Sequence, residues 1–197
     1  MKTLLICLCL TFVLGARGQQ PYPDSMQHYI DQYVQKHEVV VAEDKKYFRF
    51  FPINESFRIK AKLKRTPDSK WFTMETSGAV KKTFRTYGVL EFHIHDTLVR
   101  LPVYQSQGLI TIEKYKDLLF LPFTDLTSGE ATYAAGRYID LYTTEIKNDS
   151  VIIDFNKAYN PYCAYVTGKY NCPVPPKENQ LSVAINAGEQ NYAKPHE

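Results

Sequence analysis

The chain has 197 residues, with 24 basic and 21 acidic side chains, and 14% of its residues are aromatic. This length fits a single domain that can bury a full core, and the aromatic content excludes disorder for most of the chain and favours β structure. The small net charge gives no reason to expect nucleic acid as a partner.

The first residues have the three parts of a secretory signal peptide. Lys2 supplies a positive charge, and residues 4–14 (LLICLCLTFVL) form an apolar run that is too short to span a bilayer as a permanent helix. The small residues of Ala16-Arg17-Gly18 predict cleavage before Gln19, and cleavage after Gly15 is the alternative. We therefore expect an exported protein, either periplasmic or extracellular.

A signal peptide over residues 1–18 leaves residues 19–197 as a single mainly β domain. Its removal takes away two basic side chains and two of the four cysteines, so the mature chain is close to neutral. The remaining Cys163 and Cys172 are an even number in an oxidising compartment. No later segment of the sequence is long and apolar enough to cross a membrane.

One helix is predicted near the start of the mature chain. Asp24 is the predicted N-cap, with Gln27 three residues later as in a capping box. Val39-Val40-Val41 then favours a strand. The apolar or aromatic residues that recur at helical spacing are Met26, Tyr29, Ile30, Tyr33, Val34 and His37.

The rest of the chain has the pattern of short strands separated by turns. There is no strand–helix alternation, no repeat and no low-complexity linker, so we predict an antiparallel β-barrel or sandwich-like domain with one N-terminal helix. The polar tail, residues 191–197, is predicted to be loose. Strands are predicted at residues 57–63, 71–74, 90–94, 98–104, 117–123, 138–143, 151–155 and 181–186.

Two charged strand faces have competing interpretations. A basic row along the first strand either attracts polyanions or is a solvated face, at a sheet edge that its lysines protect from pairing. His93 and His95 share one strand face with Glu91, so they are either ligands of one metal ion or part of a solvent-facing surface. The basic row consists of Arg58, Lys60, Lys62, Lys64 and Arg65.

Four stretches in the second half of the chain resemble a known family. They are LLFLPFTDLTSGEATYAAGRYIDL (118–141), IDFNKAYNPYCAY (153–165), CPVPPKEN (172–179) and AINAGE (184–189). These words, in this order, resemble domain of unknown function 1684, a family of bacterial proteins. The resemblance implies a bacterial single-domain protein, and it implies no activity because none is assigned to the family.

The same stretches contain the densest polar cluster of the sequence. One interpretation is a pocket for a small polar or anionic ligand; the other is that the aspartates and asparagines close turns while Arg137 forms an ion pair. Asp125 and Asp154 are better partners for Arg137 than Asp140, which points to the opposite face of the same strand. The candidate binding residues are Asp125, Thr127, Arg137, Asp140, Asp154, Asn156, Tyr159, Asn160 and Glu189.

Cys163 and Cys172 are predicted to form a structural disulfide. Their spacing differs from the C-x-x-C pairs of zinc and thioredoxin-like sites. Two packed thiols, a redox pair or a thiolate nucleophile are the alternatives, although the only histidine in this half is His196 in the tail.

Two functions from different classes remain open at this point. The first is a ligand-binding or accessory module of the cell envelope that uses the polar cluster. The second is a hydrolase with an acid and a base drawn from Asp125, Asp140, Asp154 and Glu189. A purely structural envelope role is the third. No cofactor is predicted, because the sequence has no nucleophile elbow, phosphate loop, dinucleotide fingerprint or zinc helix motif.

Overall fold

The structure, a computed structural model, describes residues 21–195, so the predicted signal peptide and its cleavage point lie outside the described residues. No helix within this range is both long and apolar enough to cross a membrane. The elements are α1 (Tyr22–Lys36), β1 (Arg58–Arg65), β2 (Phe72–Met74), β3 (Lys82–Ile94), β4 (Thr97–Ser106), β5 (Leu118–Phe123), β6 (Arg137–Tyr142) and β7 (Ser150–Asp154), with short 3₁₀ turns between them.

The helix is the predicted one, but it begins earlier than the sequence suggested. Its N-cap is Pro21, and Pro23 lies in the first turn, where the fixed φ of proline suits a helix start. Asp24 is therefore inside the first turn and is not the N-cap, although its charge still favours the helix dipole. Gln27 donates to Asp31 at 2.8 Å and makes no capping box.

The seven strands form one antiparallel sheet. Its order is β6-β5-β4-β3-β1-β7, and β2 pairs with β3 beside this path. The sheet curls into a half-barrel. The segment after β7 returns to β6, where the main-chain groups of Tyr138 and Tyr159 exchange hydrogen bonds of 2.9 and 3.0 Å. The predicted antiparallel, mainly β architecture with one N-terminal helix is confirmed.

Two predicted strands do not form, because other groups bind their main chains. At Val39-Val40-Val41 the N–H of Val40 donates to the ring of His37 at 2.9 Å, which makes a bend. Residues 181–186 lie beside the turn after β5 without joining the sheet, and their main chain bonds to single residues there. The predicted loose tail is also wrong up to Lys194, which forms an ion pair with Asp44 at 2.8 Å.

Basic residues of β1 are exposed, but β1 is not an edge strand. It pairs with β3 on one side and β7 on the other, so the edge location predicted from its lysines is wrong. Arg58, Lys60, Lys62 and Lys64 alternate with Ile59, Ala61 and Leu63, whose side chains point toward the core.

The main core fills the concave side of the half-barrel. Apolar side chains alternate along each strand, as the period of two in the sequence predicted. Leu101, Leu121 and Ile153, on three different strands, are each 0% exposed. These contacts between strands distant in the chain supply most of the hydrophobic stabilisation.

A β-bulge in β3 adds an aromatic side chain to a second apolar face on the other side of the sheet. The register with β4 shifts between Thr86 and Gly88. A bulge moves the side chains before it to the opposite face. Phe84 therefore leaves the main core and packs with Tyr104 and the partly buried Phe120 in a separate cluster. This second face is the base of the cavity described below.

Candidate functional site

Arg137 and Asp125 form an ion pair inside the protein. Nη2 of Arg137 donates to Oδ2 of Asp125 at 2.8 Å, and both side chains are 0% exposed. Arg137 begins β6 and Asp125 follows the end of β5, so the pairing of these two strands brings them together. Of the two partners predicted for Arg137, the structure has Asp125.

The remaining hydrogen bonds of the Arg137 guanidinium go to main-chain carbonyl groups of the C-terminal segment. Nη1 donates to Ala187 at 2.5 Å and to Glu189 at 3.2 Å, and Nη2 donates to Ile185 at 2.9 Å. Five fixed donors suit arginine to such a convergence of acceptors. Arg137 thus attaches the C-terminal segment to β6, so its role is structural.

The side chains of Thr127 and Asn160 also form hydrogen bonds within the protein. The main-chain N–H and the hydroxyl of Thr127 donate to Oδ1 of Asp125 at 2.7 and 2.6 Å. Nδ2 of Asn160 donates to the carbonyl oxygen of Gln190 at 2.8 Å. The Thr127 contacts close a local turn, as short polar side chains commonly do, whereas the Asn160 contact ties the C-terminal segment to a distant part of the chain.

Asp154 and Asn156 form a second, separate polar cluster at the end of β7. The hydroxyl of Tyr22 donates to Asp154 at 3.0 Å. Nδ2 of Asn156 donates to Tyr22 and to the carbonyl oxygen of Asn54, each at 2.9 Å. The pair therefore fastens the start of α1 and the loop before β1 to the sheet.

Glu189 is a buried carboxylate held by neutral donors. It accepts hydrogen bonds from the hydroxyls of Tyr165 at 2.7 Å and Tyr33 at 3.2 Å, and from the N–H of Asn160 at 2.9 Å. Burial raises the pKa of Glu189 to about 7, and these three hydrogen bonds oppose the rise because they favour the ionised form. Its protonation therefore changes near neutral pH.

His93 and His95 lie exposed at the end of β3 and in the turn after it. Glu91, the carboxylate on the same face, forms an ion pair with Arg100 at 2.9 Å. Across residues 21–195, no group of three or more His, Cys, Asp or Glu side chains is placed to hold a metal ion.

Cys163 and Cys172 form the predicted disulfide bond. The main chain of Cys172 accepts a hydrogen bond from the N–H of Ser77 at 2.8 Å, which fixes the loop to the segment before β3. This loop begins with the 3₁₀ turn Tyr162–Ala164 and continues to Pro173. It stands over the second face of the sheet as one wall of a cavity.

The cavity has a volume of about 800 Å³ and opens to solvent. Its floor comes from residues of β3, β4, β5 and β6, and its opposite wall comes from residues 159–173. The volume lies within the range of small-ligand sites, roughly 300–1,000 Å³. Aromatic rings dominate the lining: Phe84, Phe120, Tyr138, Tyr159, Tyr162 and Tyr170.

These rings support one another along the cavity. Phe120 stacks on Phe84 with centroids 5.4 Å apart, and it meets Tyr138 edge to face at 4.7 Å. Tyr138 in turn meets Tyr159 edge to face at 5.8 Å, and its hydroxyl donates to the carbonyl oxygen of Pro173. Edge-to-face packing holds each ring in a defined orientation, so the walls are preformed.

Asp140 is the one carboxylate among the residues that line this cavity. Its side chain is exposed to solvent on the second face of the sheet, and desolvation by the surrounding walls raises its pKa. The hydroxyl of Tyr159 donates a hydrogen bond to Asp140 at 2.9 Å, and this bond lowers the pKa of Asp140. No basic side chain among residues 21–195 lies within ion-pair distance of Asp140.

A smaller cavity of about 430 Å³ lies on the other side of the Asp140–Tyr159 pair. Its lining also includes His37, which is packed among aromatic rings. Nδ1 of His37 accepts from the N–H of Val40, so the neutral ring carries its proton on Nε2, which has no hydrogen-bond partner among residues 21–195. Burial lowers the pKa of His37 to about 4, so the ring is neutral at physiological pH.

The structure separates the nine predicted candidates into groups. Asp140 and Tyr159 line both cavities, whereas Arg137 and Asp125 are closed inside the protein and the others bond to neighbouring segments. Of the four carboxylates proposed for hydrolysis, only Asp140 lines either cavity. Tyr159 was among the predicted candidates, but the other aromatic residues of the lining were missed, because no local pattern in the sequence shows that they face a common cavity.

Comparisons with known proteins agree with the fold and add no activity. A family model described as "Protein of unknown function (DUF1684)" matches residues 45–190, which confirms the resemblance found in the sequence. No curated protein matches the chain. A solution NMR structure of an uncharacterized protein from gene locus rrnAC0354 of Haloarcula marismortui is similar, with 25% identity and a TM-score of 0.63. The match covers 85% of this chain and 92% of that one.

Proposed function

Because the chain belongs to the DUF1684 family, whose description assigns no function, we propose one from the site itself: the protein is a binding module for a small, largely apolar ligand. The observation that supports this is the aromatic cavity of about 800 Å³ on the second face of the sheet. Small-molecule sites are typically concave and mainly apolar, with a few polar groups that orient the ligand. Asp140 and the hydroxyl of Tyr159 are such groups.

The site differs from the polar cluster that the sequence singled out. Arg137 donates only to protein acceptors, and the group that faces the cavity is a carboxylate. A carboxylate repels an anionic ligand, so the proposed ligand is neutral or cationic. The paired-carboxylate hydrolase has less support, since an acid and a base have to share one cavity.

The experiment uses N-phenyl-1-naphthylamine, a neutral apolar dye whose fluorescence rises in apolar surroundings. We expect saturable binding to the purified protein. Gly108 lines the cavity and a Cβ there meets no heavy atom within 4 Å, so Gly108→Trp attaches a large side chain beside the cavity without crowding the backbone. Leu118→Trp enlarges a side chain that lines the cavity from β5.

Each of these two variants should weaken dye binding at least about tenfold. The control is Thr144→Trp, which places the same ring at an exposed position away from the cavity. Wild-type affinity in both cavity variants, or equal loss in the control, would refute the site.

We also propose that the protein is exported, with cleavage before Gln19. The support is the short apolar run and the small residues that follow it in the sequence. A disulfide between Cys163 and Cys172 is consistent with an oxidising compartment. N-terminal sequencing of the protein from its own cells tests this, and recovery of an intact Met1 would contradict it.

A further inference from the structure

The cavity that we propose as the binding site is lined by a carboxylate that forms no ion pair in the described part of the chain. Asp140 accepts one hydrogen bond, from Tyr159, and no basic side chain in the described part of the chain is within ion-pair distance of it. Lys82 lines the same cavity, at an exposed position, and does not pair with it. Because Asp140 is exposed to solvent within the cavity, its charge is accessible to a positive group that enters there.

The walls around Asp140 are suited to a positive group. Tyr138 and Tyr159 flank it, and Tyr162 lines the smaller cavity that meets it from the other side. The faces of aromatic rings carry partial negative charge and attract cations, most strongly where water is displaced. Burial raises the pKa of each of these three tyrosines, so their hydroxyl groups remain neutral.

From this arrangement we infer that the ligand is an organic cation, and that an alkylated ammonium group binds over Asp140 between the surrounding tyrosine rings. This inference rests on the proposed function and names the class of its ligand. A methylated ammonium group is large and weakly hydrated. It therefore loses less hydration free energy than a metal cation does on entering an apolar site. Aromatic rings together with one carboxylate supply both kinds of attraction that such a group needs.

Two isosteric probes isolate the effect of charge. Choline has a trimethylammonium group, and 3,3-dimethylbutan-1-ol has the same shape with carbon in place of nitrogen. In NMR titrations of the purified protein, choline should bind at least about tenfold more tightly than the neutral alcohol. Equal affinity for the two probes, or tighter binding of the alcohol, would overturn the inference.

Asp140→Asn tests the residue that carries the charge. Asparagine keeps the size of the side chain and the oxygen that accepts from Tyr159. The variant should lose the preference for choline, with affinity for the neutral alcohol unchanged. Asp96→Asn is the matched control, since Asp96 is exposed in the β3–β4 turn outside both cavities. Full retention of the choline preference in Asp140→Asn would exclude Asp140 as the cation site.

The result separates the two proposals. If N-phenyl-1-naphthylamine binds and Gly108→Trp blocks it, the cavity is a ligand site whether or not choline is preferred. If the dye does not bind but choline does, with dependence on Asp140, the apolar part of the proposed function fails and the cation site stands. An added arm with phosphatidylcholine vesicles identifies the source: vesicle binding lost in Asp140→Asn indicates a lipid headgroup, and binding of free choline alone indicates a soluble cation.

Discussion

Arg137→Met is expected to destabilise the protein severely. The methionine is apolar and similar in length, so it fills much of the space but removes the positive charge and all the donors. Asp125 would then be a buried carboxylate, 0% exposed, without its cation. Breaking a buried ion pair by removing one partner costs roughly 3–5 kcal/mol.

The carbonyl groups of the C-terminal segment increase this cost. Three of them, at Ile185, Ala187 and Glu189, accept from Arg137. A buried acceptor left without a donor costs about 1–3 kcal/mol, although such costs do not simply add and the segment can relax. We expect a total loss of about 5 kcal/mol, a large part of the 5–15 kcal/mol that stabilises a typical domain.

Urea denaturation of the wild-type and variant proteins measures this loss. The double variant Asp125→Asn/Arg137→Met is the informative comparison, because it removes both charges. Asparagine keeps the oxygen that accepts from Thr127, so the double variant should be more stable than Arg137→Met by roughly 2 kcal/mol. A loss below about 1 kcal/mol in Arg137→Met would refute the structural role argued for this residue.

Three further predictions concern other buried or constrained positions. Since the folded pKa of Glu189 is raised to about 7, the folded protein holds this proton more tightly than the unfolded chain does, and stability should fall as pH rises from about 4.5 to 7. Glu189→Gln should remove up to roughly 3 kcal/mol of that pH-dependent loss of stability, measured by urea denaturation at several pH values. An unchanged dependence of the unfolding free energy on pH would contradict the assignment of the loss to Glu189. Gly136→Ala should lower the free energy of unfolding by at least about 2 kcal/mol, since the φ of Gly136 is 90° and a Cβ there would lie 2.5 Å from a carbonyl oxygen. Gly168 has a φ of 74° but open space around it, so Gly168→Ala should lower the free energy of unfolding by only about 1 kcal/mol. Equal melting temperatures for the two variants would be evidence against this difference. Replacing Cys163 and Cys172 together by Ser should lower stability by roughly 2.5–3 kcal/mol in oxidised protein, and a variant as stable as the wild type would show that the disulfide contributes little.

Local pattern in the sequence was sufficient for much of the fold. The alternation along β1 correctly separated exposed lysines from core residues such as Ala61 and Leu63, because side-chain direction in a strand has a fixed period of two. The pairing of Arg137 with Asp125 was among the sequence-based alternatives, since a rigid guanidinium beside buried strands requires a carboxylate. The disulfide was predicted from the cysteine count together with the predicted export to an oxidising compartment.

The location of the cavity was decided only by the tertiary structure. A bulge between Thr86 and Gly88 turns Phe84 to the second face, and no local periodicity shows where a strand shifts its register. The disulfide loop then approaches that face through contacts between residues far apart in the chain, such as Ser77 with Cys172. Asp140 and Tyr159 come together for the same reason, because strand pairing and loop packing depend on long-range contacts. Residue type alone therefore identified a polar cluster, while the shape of the fold decided which of its members face a ligand-sized space.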